Sequence, residues 1–520
     1  MVMRIRSFNN FKGISARGSK LGTVFLLAVF TCCLFFTPLT SAVEISPPTP
    51  IILTWTADPA TTQTITWLMT TNEPARVEYL EADSFDGSFD QASQIEAQSS
   101  ILGSLYYHNT VNISGLTPDT EYVYRVGDEG AWSESLYFTT AADTEKFTFL
   151  YLGDVQSGYS EWGDMLNSID SSYPQIKFSL LGGDLTDNGS NETEWGQFLD
   201  AAAGYFSQIS LMPTLGNHDG IMYLRFFALP DNGPAGLEQE FYSFDYGNAH
   251  FVVLNSSYNT NEAAKQWLRE DLQSTTKGWK FAMFHHPAYP AFEDYKSIDE
   301  SICENWVPIL EDNGVDMVFV GHQHEYMRTY PIYQGEIQSN PAAYGIVYVM
   351  GNSGTKIYAA GADFPYIDCE ETGSNYQVID IDGNVMTMTS QKASGELIES
   401  YTINKGLINP IYLIIPAVDV DYTIGATDDG ISLLTIQSEV AKSKNFIVDI
   451  QPISAHLGSE TIIFSHFRDG SQVGLNPVQN DFDTVSTAQA GFNVEGGDLV
   501  RVFMVDDLTS ALDYNPVVLQ

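Results

Sequence analysis

Positive charge is scarce in this sequence. Its 520 residues include 23 Lys and Arg against 66 Asp and Glu, which gives a formal net charge of −43 at pH 7. A surface of this charge repels nucleic acid backbones and anionic lipid, so neither is expected as a partner. The excess of acid is compatible with solubility alone, and it also suits an exported protein in a salty or calcium-rich medium.

Cysteine is scarce as well, with four residues in the whole chain. Cys32 and Cys33 lie in an N-terminal apolar segment, which leaves Cys303 and Cys369 for the rest of the protein. These two can form one disulfide or stay free, and the sequence does not decide between the two states. Their spacing is not that of metal ligands.

The N-terminal apolar run, residues 21–36, is short for a membrane span. Residues 1–20 carry five basic residues and no acid, and small residues follow the run at 40–42. A basic region, an apolar region and small residues, in this order, are typical of a secretory signal. We therefore predict a signal peptide over residues 1–42 and a secreted, extracellular protein. The alternative is an uncleaved N-terminal anchor, with no other membrane contact.

Two regions show the period-two alternation of β-strands. In residues 46–141, segments such as 64–68 and 122–126 alternate between apolar and polar side chains, with turn formers between them. Short strands at this spacing predict a β-sandwich. Residues 408–520 contain further strands, such as 499–505, and no convincing helix, so we predict a second, C-terminal β-sandwich.

Between these regions, short apolar strands alternate with helices. Residues 194–207, 261–272 and 301–312 have helical patterns, and an apolar strand precedes or follows each of them. This alternation predicts an α/β layered domain over residues 145–403. The fold class is thus multidomain, with an α/β domain between two β-sandwiches.

Five short polar segments each follow an apolar strand of the central domain. Sites in α/β sheets form beyond the carboxyl ends of the strands. The segments offer carboxylate, imidazole and amide groups, which suit two cations that activate water against a phosphate ester. They are Gly153-Asp154-Val155-Gln156, Gly183-Asp184, Gly216-Asn217-His218-Asp219, His285-His286-Pro287 and Gly321-His322-Gln323-His324.

Six of these residues are candidate metal ligands. Asp184, in the middle of the series, is predicted to bridge two ions, because a carboxylate held by both offsets their mutual repulsion. One ion would add Asp154 and His324. The other would add Asn217, His285 and His322.

Neighbouring polar residues are candidates for the remaining chemistry. His218 is predicted to protonate the leaving alkoxide, because it follows a ligand directly. Asp219 is predicted to orient His218, and Arg328 to bind phosphate. Four other histidines are expected to be packed, hydrogen-bonded or structural: His108, His286, His456 and His466.

These residues resemble the calcineurin-like metallophosphoesterase superfamily. The segment from Gly321 to Pro331 is close to the Gly-His-x-His-x-Tyr-x-Arg-Thr-Tyr-Pro of its purple acid phosphatase branch. The N-terminal sandwich is similar to the fibronectin type III-like domain of that branch. The resemblance covers about residues 46–403 and implies a four-layer α/β catalytic domain. It also implies two divalent ions, or one divalent and one trivalent ion, of Fe, Zn or Mn, and it favours His285 over His286 as a ligand.

Two positions depart from the family pattern. Asp187 stands where the purple acid phosphatases have a tyrosine that binds Fe(III), so we predict no purple absorption band and less preference for Fe(III). Gln156 stands where the wider superfamily has a histidine. A glutamine binds metal weakly through its amide oxygen, so Mn²⁺ or Mg²⁺ is favoured on the Asp154 side. The Asp-x-Gln form is similar to that of bacterial secreted relatives.

The predicted function is a secreted dinuclear metal-dependent phosphatase, which hydrolyses small phosphomonoesters by attack of a metal-bridging hydroxide. A phosphodiesterase or nucleotidase on the same site is one alternative. A surface-binding protein with a degenerate phosphatase core is another, although all six candidate ligands are present. The C-terminal sandwich is a candidate for binding a cell surface or a glycan.

Overall fold

The computed structural model describes residues 47–70, 74–102, 106–292, 296–338, 345–358, 364–405, 412–427, 431–453, 458–468 and 470–505. The predicted signal peptide at residues 1–42 and His456 lie outside these described residues. Among the helices of the described ranges, none combines the length and the apolar character needed to cross a membrane.

The described residues of the N-terminal domain form nine strands, in two antiparallel sheets around a common core. One sheet has the order β1-β2-β6-β5, and the other has the order β4-β3-β7-β8 with β9 paired to β7. This confirms the predicted β-sandwich. The strands are β1 Ile51–Thr54, β2 Thr62–Met69, β3 Arg76–Glu81, β4 Ser93–Glu96, β5 Gln98–Leu102, β6 Tyr106–Ser114, β7 Glu121–Asp128, β8 Ala131–Trp132 and β9 Leu136–Thr139. A 3₁₀ turn, Ala82–Ser84, follows β3.

Strands β1 and β2 of the first sheet are buried on both faces, because the outer face of the sheet packs against the central domain there. Every residue of β2 is buried, the polar ones included. Gln63 Nε2 donates to Ser210 Oγ at 3.2 Å, and Thr54 Oγ1 donates to the carbonyl of Ala228 at 2.6 Å. These contacts satisfy polar groups that burial would otherwise leave without partners.

The central domain contains fifteen of the described strands and all of the described α-helices. The strands are β10 Lys146–Leu152, β11 Ile176–Leu181, β12 Ser210–Pro213, β13 Tyr242–Tyr246, β14 Ala249–Val253, β15 Trp279–Met283, β16 Met317–Val320, β17 Glu325–Thr329, β18 Ile332–Tyr333, β19 Glu336–Ile337, β20 Val347–Met350, β21 Ile367–Thr372, β22 Asn375–Asp382, β23 Val385–Lys392 and β24 Leu397–Asn404. The helices are α1 Tyr159–Ser172, α2 Glu192–Phe206, α3 Tyr223–Phe226, α4 Glu262–Ser274, α5 Lys296–Asn305 and α6 Val307–Asp312, with 3₁₀ turns at Gly220–Met222 and Ser256–Tyr258.

Two large sheets pack face to face in this domain, with orders β12-β11-β10-β22-β23-β24 and β13-β14-β15-β16-β20-β17-β21. Phe149 of β10 lies 5.3 Å from Phe251 and 5.5 Å from Phe281 of the opposite sheet, between ring centroids. Helices cover the outer faces, as the contact of Phe284 with Trp306 shows at 5.3 Å. The result is the helix–sheet–sheet–helix layering expected for this fold class.

The helices of the structure differ from the predicted ones in their bounds, in one interruption and in an additional helix. Asn191 and Asn261 cap α2 and α4, each accepting from a backbone N–H at 3.0 Å, which is the usual role of asparagine at this position. The single helix predicted over 301–312 is interrupted at Trp306, because Pro308 cannot donate a helical hydrogen bond. Helix α1, which starts after Gly158 with a left-handed φ of 74°, was not predicted.

The C-terminal domain is a second β-sandwich, as predicted. Its sheets have the orders β25-β28-β31 and β26-β27-β32-β29-β30 and share one apolar core. His466 is buried there with its Nε2 2.7 Å from Asp498 Oδ2, which agrees with a structural role. The strands are β25 Tyr412–Pro416, β26 Tyr422–Ala426, β27 Ser432–Ile436, β28 Ala441–Pro452, β29 Glu460–Arg468, β30 Ser471–Asn480, β31 Thr487–Glu495 and β32 Leu499–Val505.

A histidine of β14 links strand and helix through two carboxylates. His250 Nδ1 lies 2.7 Å from Asp245 Oδ1, and its Nε2 lies 2.8 Å from Asp271 Oδ2 of α4. Burial alone would lower the pKa of His250, but the two carboxylates raise it to about 9. Both ring nitrogens can donate only in the imidazolium form. The folded protein therefore keeps a proton on His250 at pH values where the histidine of the unfolded chain, with its ordinary pKa, has released it.

This link predicts a pH-dependent loss of stability. The raised pKa of His250 contributes about 3 kcal/mol, present in full below pH about 6.5 and lost as the pH rises through about 9. In thermal melts, the Tm advantage of the wild type over His250→Gln should therefore shrink as the pH is raised through this window. Taking the Tm difference at each pH removes the contribution of the other titrating groups, because both proteins share them. A constant Tm difference across the window would contradict the role of His250.

Candidate metal centre

The five polar segments converge at the carboxyl ends of strands from both large sheets. Strands β10, β11 and β12 run parallel in one sheet, and β15 and β16 run parallel in the other. Parallel strands end at the same edge, which brings their following loops together. The candidate ligands that leave these strands, in chain order, are Asp154, Asp184, Asn217, His285, His322 and His324.

The backbone of these loops is strained. Seven non-glycine residues of the described ranges have a positive φ, and four of them belong to the segments: Gln156, Asp184, His322 and His324, at 47°, 49°, 80° and 53°. Such conformations cost of order 1–3 kcal/mol each and persist only where the surroundings enforce them. Their concentration at one place is typical of a functional site.

Two glycines of the segments leave room for the carboxylates. A Cβ on Gly216 would lie 2.1 Å from Asp184 Oδ1, and a Cβ on Gly321 would lie 2.1 Å from Asp154 Oδ1. Either distance is far inside van der Waals contact, so a side chain at either position would displace a candidate ligand.

Two groups of possible ligand atoms share one carboxylate. Asp184, His285 and His322 form one group, and Asp154, Asp184 and His324 form the other, with the ligand atoms of each group within 4.8 Å of one another. Asn217 Oδ1 lies 3.1 Å from His285 Nε2, at the edge of the first group. The structure thus brings the six candidate ligands together, with Asp184 common to both groups.

Hydrogen bonds to the backbone orient the carboxylates. Asp154 Oδ1 accepts from the N–H of His322 at 2.7 Å, and Asp184 Oδ1 accepts from the N–H of His218 at 2.8 Å. The second oxygen of each faces an imidazole: Asp154 Oδ2 lies 3.4 Å from His324 Nε2, and Asp184 Oδ2 lies 3.3 Å from His285 Nε2. Asp154 Oδ2 is buried and accepts no hydrogen bond from the residues that the structure describes.

Hydrogen bonds also orient the imidazoles. His285 Nδ1 lies 2.9 Å from the carbonyl of Gly182, and His324 Nδ1 lies 3.2 Å from the carbonyl of Lys356. Carbonyls only accept, so each Nδ1 carries a proton. Positive charge must then lie between each Nε2 and the carboxylate oxygen that it faces, either as a second ring proton or as a metal ion that takes the place of that proton. The residues therefore fit a pair of metal ions.

The electrostatics of the cluster agree with this fit. Burial, with the charge of Asp184 adding to it, raises the pKa of Asp154 to about 8. Burial also opposes ionisation of Asp184, but His285 lowers its pKa well below the ordinary range. The same carboxylates raise the pKa of His285 to about 10 against its burial. A buried group of mutually repelling carboxylates is a site that positive charge stabilises.

The structure corrects the role predicted for Asp219. Its carboxylate is fully buried and accepts from the backbone N–H groups of Leu185 at 2.6 Å and Gly216 at 2.8 Å. It therefore ties the two ligand loops together and does not orient His218. His218 Nδ1 instead contacts the carbonyl of Asp187 at 2.6 Å, and its ring is 34% exposed, with Nε2 4.0 Å from Asp184 Oδ2.

The structure also places Gln156 differently from the prediction. Its amide oxygen accepts from Lys356 Nζ at 2.7 Å, which occupies the atom that was expected to bind a metal ion. Lys356 was not predicted to lie at the site. It follows β20 in a loop without a recognisable motif, and only the sheet order places β20 beside β16.

Arg328 does not reach the site as predicted. Its guanidinium is buried and donates to both oxygens of Glu399, at 2.9 and 2.7 Å, and lies 2.8 Å from Asp368. It also stacks over the ring of Tyr401, with Cζ 4.1 Å from the centroid. Arg328 therefore fastens β17 to β21 and β24, and its donors are occupied within the protein.

The remaining histidines are hydrogen-bonded within the fold, and the two cysteines are not paired. His286 Nδ1 bonds to Ser256 Oγ at 2.8 Å, and burial is the main cause that lowers its pKa to about 3. His108 lies within β6, with its Nδ1 3.5 Å from Thr110 Oγ1. Cys303 and Cys369 are both free thiols, which decides the question that the sequence left open.

Two protein families match this chain. Residues 147–326 match the family described as calcineurin-like phosphoesterase. Residues 48–140 match the family described as purple acid phosphatase, N-terminal domain. The first match covers the segments that carry the candidate ligands, and the second covers the N-terminal sandwich.

Curated relatives include plant and bacterial proteins. Purple acid phosphatase 23 of Arabidopsis thaliana is 28% identical over 298 residues, covering 49% of this chain and 64% of the relative. Purple acid phosphatase 18 of the same plant is 27% identical, covering 56% and 68%. The uncharacterized protein Rv2577 of Mycobacterium tuberculosis is 25% identical, covering 43% and 51%. The chain thus spans between about half and two thirds of the length of these relatives.

Solved structures share the fold. The purple acid phosphatase PPD1 from yellow lupin superposes with a TM-score of 0.61 at 18% identity, covering 69% of this chain and 74% of that protein. PhoD superposes with a TM-score of 0.51 at 13% identity, covering 68% and 92%. At this level of identity the likeness concerns the arrangement of sheets and helices.

Proposed function

This chain belongs to the calcineurin-like metallophosphoesterases and carries the N-terminal domain of purple acid phosphatases, and from this premise we propose that it is a secreted hydrolase of phosphomonoesters. The observation that carries the proposal is the carboxylate of Asp184, shared by two groups of ligand atoms. One shared carboxylate between two imidazole-containing groups is the arrangement that holds two ions close together.

The proposal assigns a task to each residue of the site. Asp154, Asp184 and His324 would hold one cation, and Asp184, His285 and His322, with Asn217 beside them, would hold the other. When bound, such a pair of cations supplies a hydroxide nucleophile at neutral pH and offsets charge on the phosphate oxygens. The oxygen and imidazole ligands suit Fe, Zn or Mn. Asp187 offers no tyrosinate, so we expect a colourless enzyme.

In this proposal His218 acts as the general acid. The carbonyl of Asp187 fixes the proton on Nδ1, and Nε2 lies at the edge of the ligand cluster on a half-buried ring. An imidazolium here can donate its Nε2 proton to the leaving alkoxide. Asp219 serves this step indirectly, because its carboxylate holds Gly216 and thereby the loop that carries Asn217 and His218.

Phosphate release tests the proposal. The purified mature chain is stripped with a chelator, reloaded with Mn²⁺, Zn²⁺ or Fe, and assayed on p-nitrophenyl phosphate and on its bis ester. We expect metal-restored hydrolysis that favours the monoester and that Asn217→Ala lacks. A preference for the bis ester would support a phosphodiesterase instead. A folded protein without turnover with any metal would support a binding protein.

Replacing His218 should separate proton donation from metal binding. We expect His218→Asn to keep its metal and to lose about 10²-fold in kcat on phenyl phosphate, whose leaving group needs a proton. The loss on p-nitrophenyl phosphate should be much smaller, because p-nitrophenolate leaves without one. The measurements are kcat on both esters and metal content. Equal losses on the two esters would exclude His218 as the general acid.

Export belongs to the same proposal. The basic, apolar and small-residue order of residues 1–42 supports it. Expression of the full chain in a host that exports proteins, followed by N-terminal sequencing of the external fraction, is expected to find the mature chain starting near residue 43. A product that stays in the membrane fraction with its original N-terminus would favour the uncleaved anchor.

A further inference from the structure

A lysine and a glutamine lie beside the ligand cluster on the Asp154 side. Gln156 follows Asp154 by two residues, and its backbone N–H donates to the carbonyl of Asp184 at 2.9 Å. Lys356 reaches this glutamine from the loop after β20, with Nζ 2.7 Å from Gln156 Oε1. The carbonyl of Lys356 also lies 3.2 Å from His324 Nδ1. Lys356 therefore contacts His324 through its backbone carbonyl and Gln156 through its ammonium group.

The charge of Lys356 has no carboxylate partner among the described residues. Its ammonium contacts the neutral amide of Gln156 and lies 5.6 Å from the ring centroid of Tyr358, a ring that packs against His324 at 4.6 Å. Arg328, by contrast, is bound to Glu399 and Asp368. In a chain with 66 acids and 23 basic residues, an unneutralised cation beside the cluster indicates an anionic ligand.

The glutamine adds a second donor. An ammonium only donates, so Gln156 must present its oxygen to Lys356. Its Nε2 is then left buried, and no described residue accepts a hydrogen bond from it. The side chain as a whole is 1% exposed. Buried donors without a partner are uncommon, so this N–H is available to an oxygen of a bound ligand.

We propose that Lys356 is a substrate-binding residue that holds a non-bridging phosphate oxygen and favours monoesters over diesters, with Gln156 as its support. A phosphomonoester carries close to two negative charges at neutral pH, whereas a diester carries one. An additional cation therefore gains more from the monoester. The inference rests on the proposed hydrolase function and adds the group that selects its substrate class.

Lys356→Met removes the charge and keeps the aliphatic stem and the backbone that orients His324. We expect kcat/KM for p-nitrophenyl phosphate and the affinity for inorganic phosphate, measured by calorimetry on the metal-loaded protein, to fall about tenfold or more. Hydrolysis of the bis ester should fall much less, and metal content should not change. Lys356→Arg should recover part of the monoester activity. Lys177→Met, an exposed lysine of β11, is the matched control.

Three results would overturn the proposal. The first is an equal loss on both esters. The second is a loss of metal in Lys356→Met, which would assign the residue to positioning His324. The third is a phosphate affinity equal to that of the Lys177→Met control. If the wild type hydrolyses neither ester, the proposed function fails, and the phosphate affinities of the two variants still decide whether Lys356 binds the anion.

Discussion

Asp184→Asn is expected to abolish phosphate release and to remove both cations at once. The residue belongs to both groups of ligand atoms, so one substitution affects two sites. An asparagine keeps the shape, but it carries no charge and offers a single acceptor oxygen, which cannot hold two ions against their repulsion. Without the ions the nucleophile must come from water at its ordinary pKa, so kcat/KM should fall by at least about 10⁴-fold.

The experiment compares metal content, activity and folding of the same preparation. Elemental analysis after gel filtration should find the wild type loaded and Asp184→Asn nearly empty, while circular dichroism finds both folded. Asp170→Asn, an exposed aspartate at the end of α1, is the matched control and should keep metal and activity. A folded Asp184→Asn protein that retains two ions would disprove the bridging role. Retention of one ion would show that the groups are independent.

The fold was predictable because its pattern is local. Apolar strands alternate with helices across the central domain, and period-two strands fill both flanking domains, so hydrophobic periodicity alone separates them. The positions of Asp154, Asp184 and Asn217 followed from the same pattern, since each comes within a few residues of the end of a parallel strand. Strands that end at one edge bring such residues together without further information.

Residues whose roles depend on contacts between loops were not predictable. Asp219 follows His218 in the sequence, but its carboxylate turns inward to the backbone of Leu185, 34 positions away. Lys356 reaches Gln156 across 200 positions, from a loop without a motif. In both cases the packing of loops determines the partner, and the hydrophobic periodicity of the sequence carries no information on that packing. Adjacency in sequence therefore gave the wrong partner for Asp219 and no indication for Lys356.

Arg328 shows the same limit, and its burial leads to a large expected effect on stability. Its guanidinium is 5% exposed, and the carboxylate of Glu399, which it binds through two hydrogen bonds, is 16% exposed. Tyr326 donates a further hydrogen bond to Glu399, so Tyr326 and Arg328 bind the same carboxylate. Removing one partner of a buried ion pair leaves the other charge buried without compensation, which costs about 3–5 kcal/mol.

Arg328→Met is therefore expected to lower the free energy of unfolding by about 3–5 kcal/mol in urea titrations, while KM for the phosphate ester stays unchanged in the folded protein. Arg269→Met, on the exposed face of α4, is the control. Because Glu399→Gln removes the stranded charge, the double variant should be less destabilised than the sum of the single ones. If Arg328 instead bound phosphate, its replacement would raise KM and leave the urea transition in place. The two roles thus predict opposite results in two independent measurements, since the same guanidinium cannot both saturate Glu399 and receive the substrate.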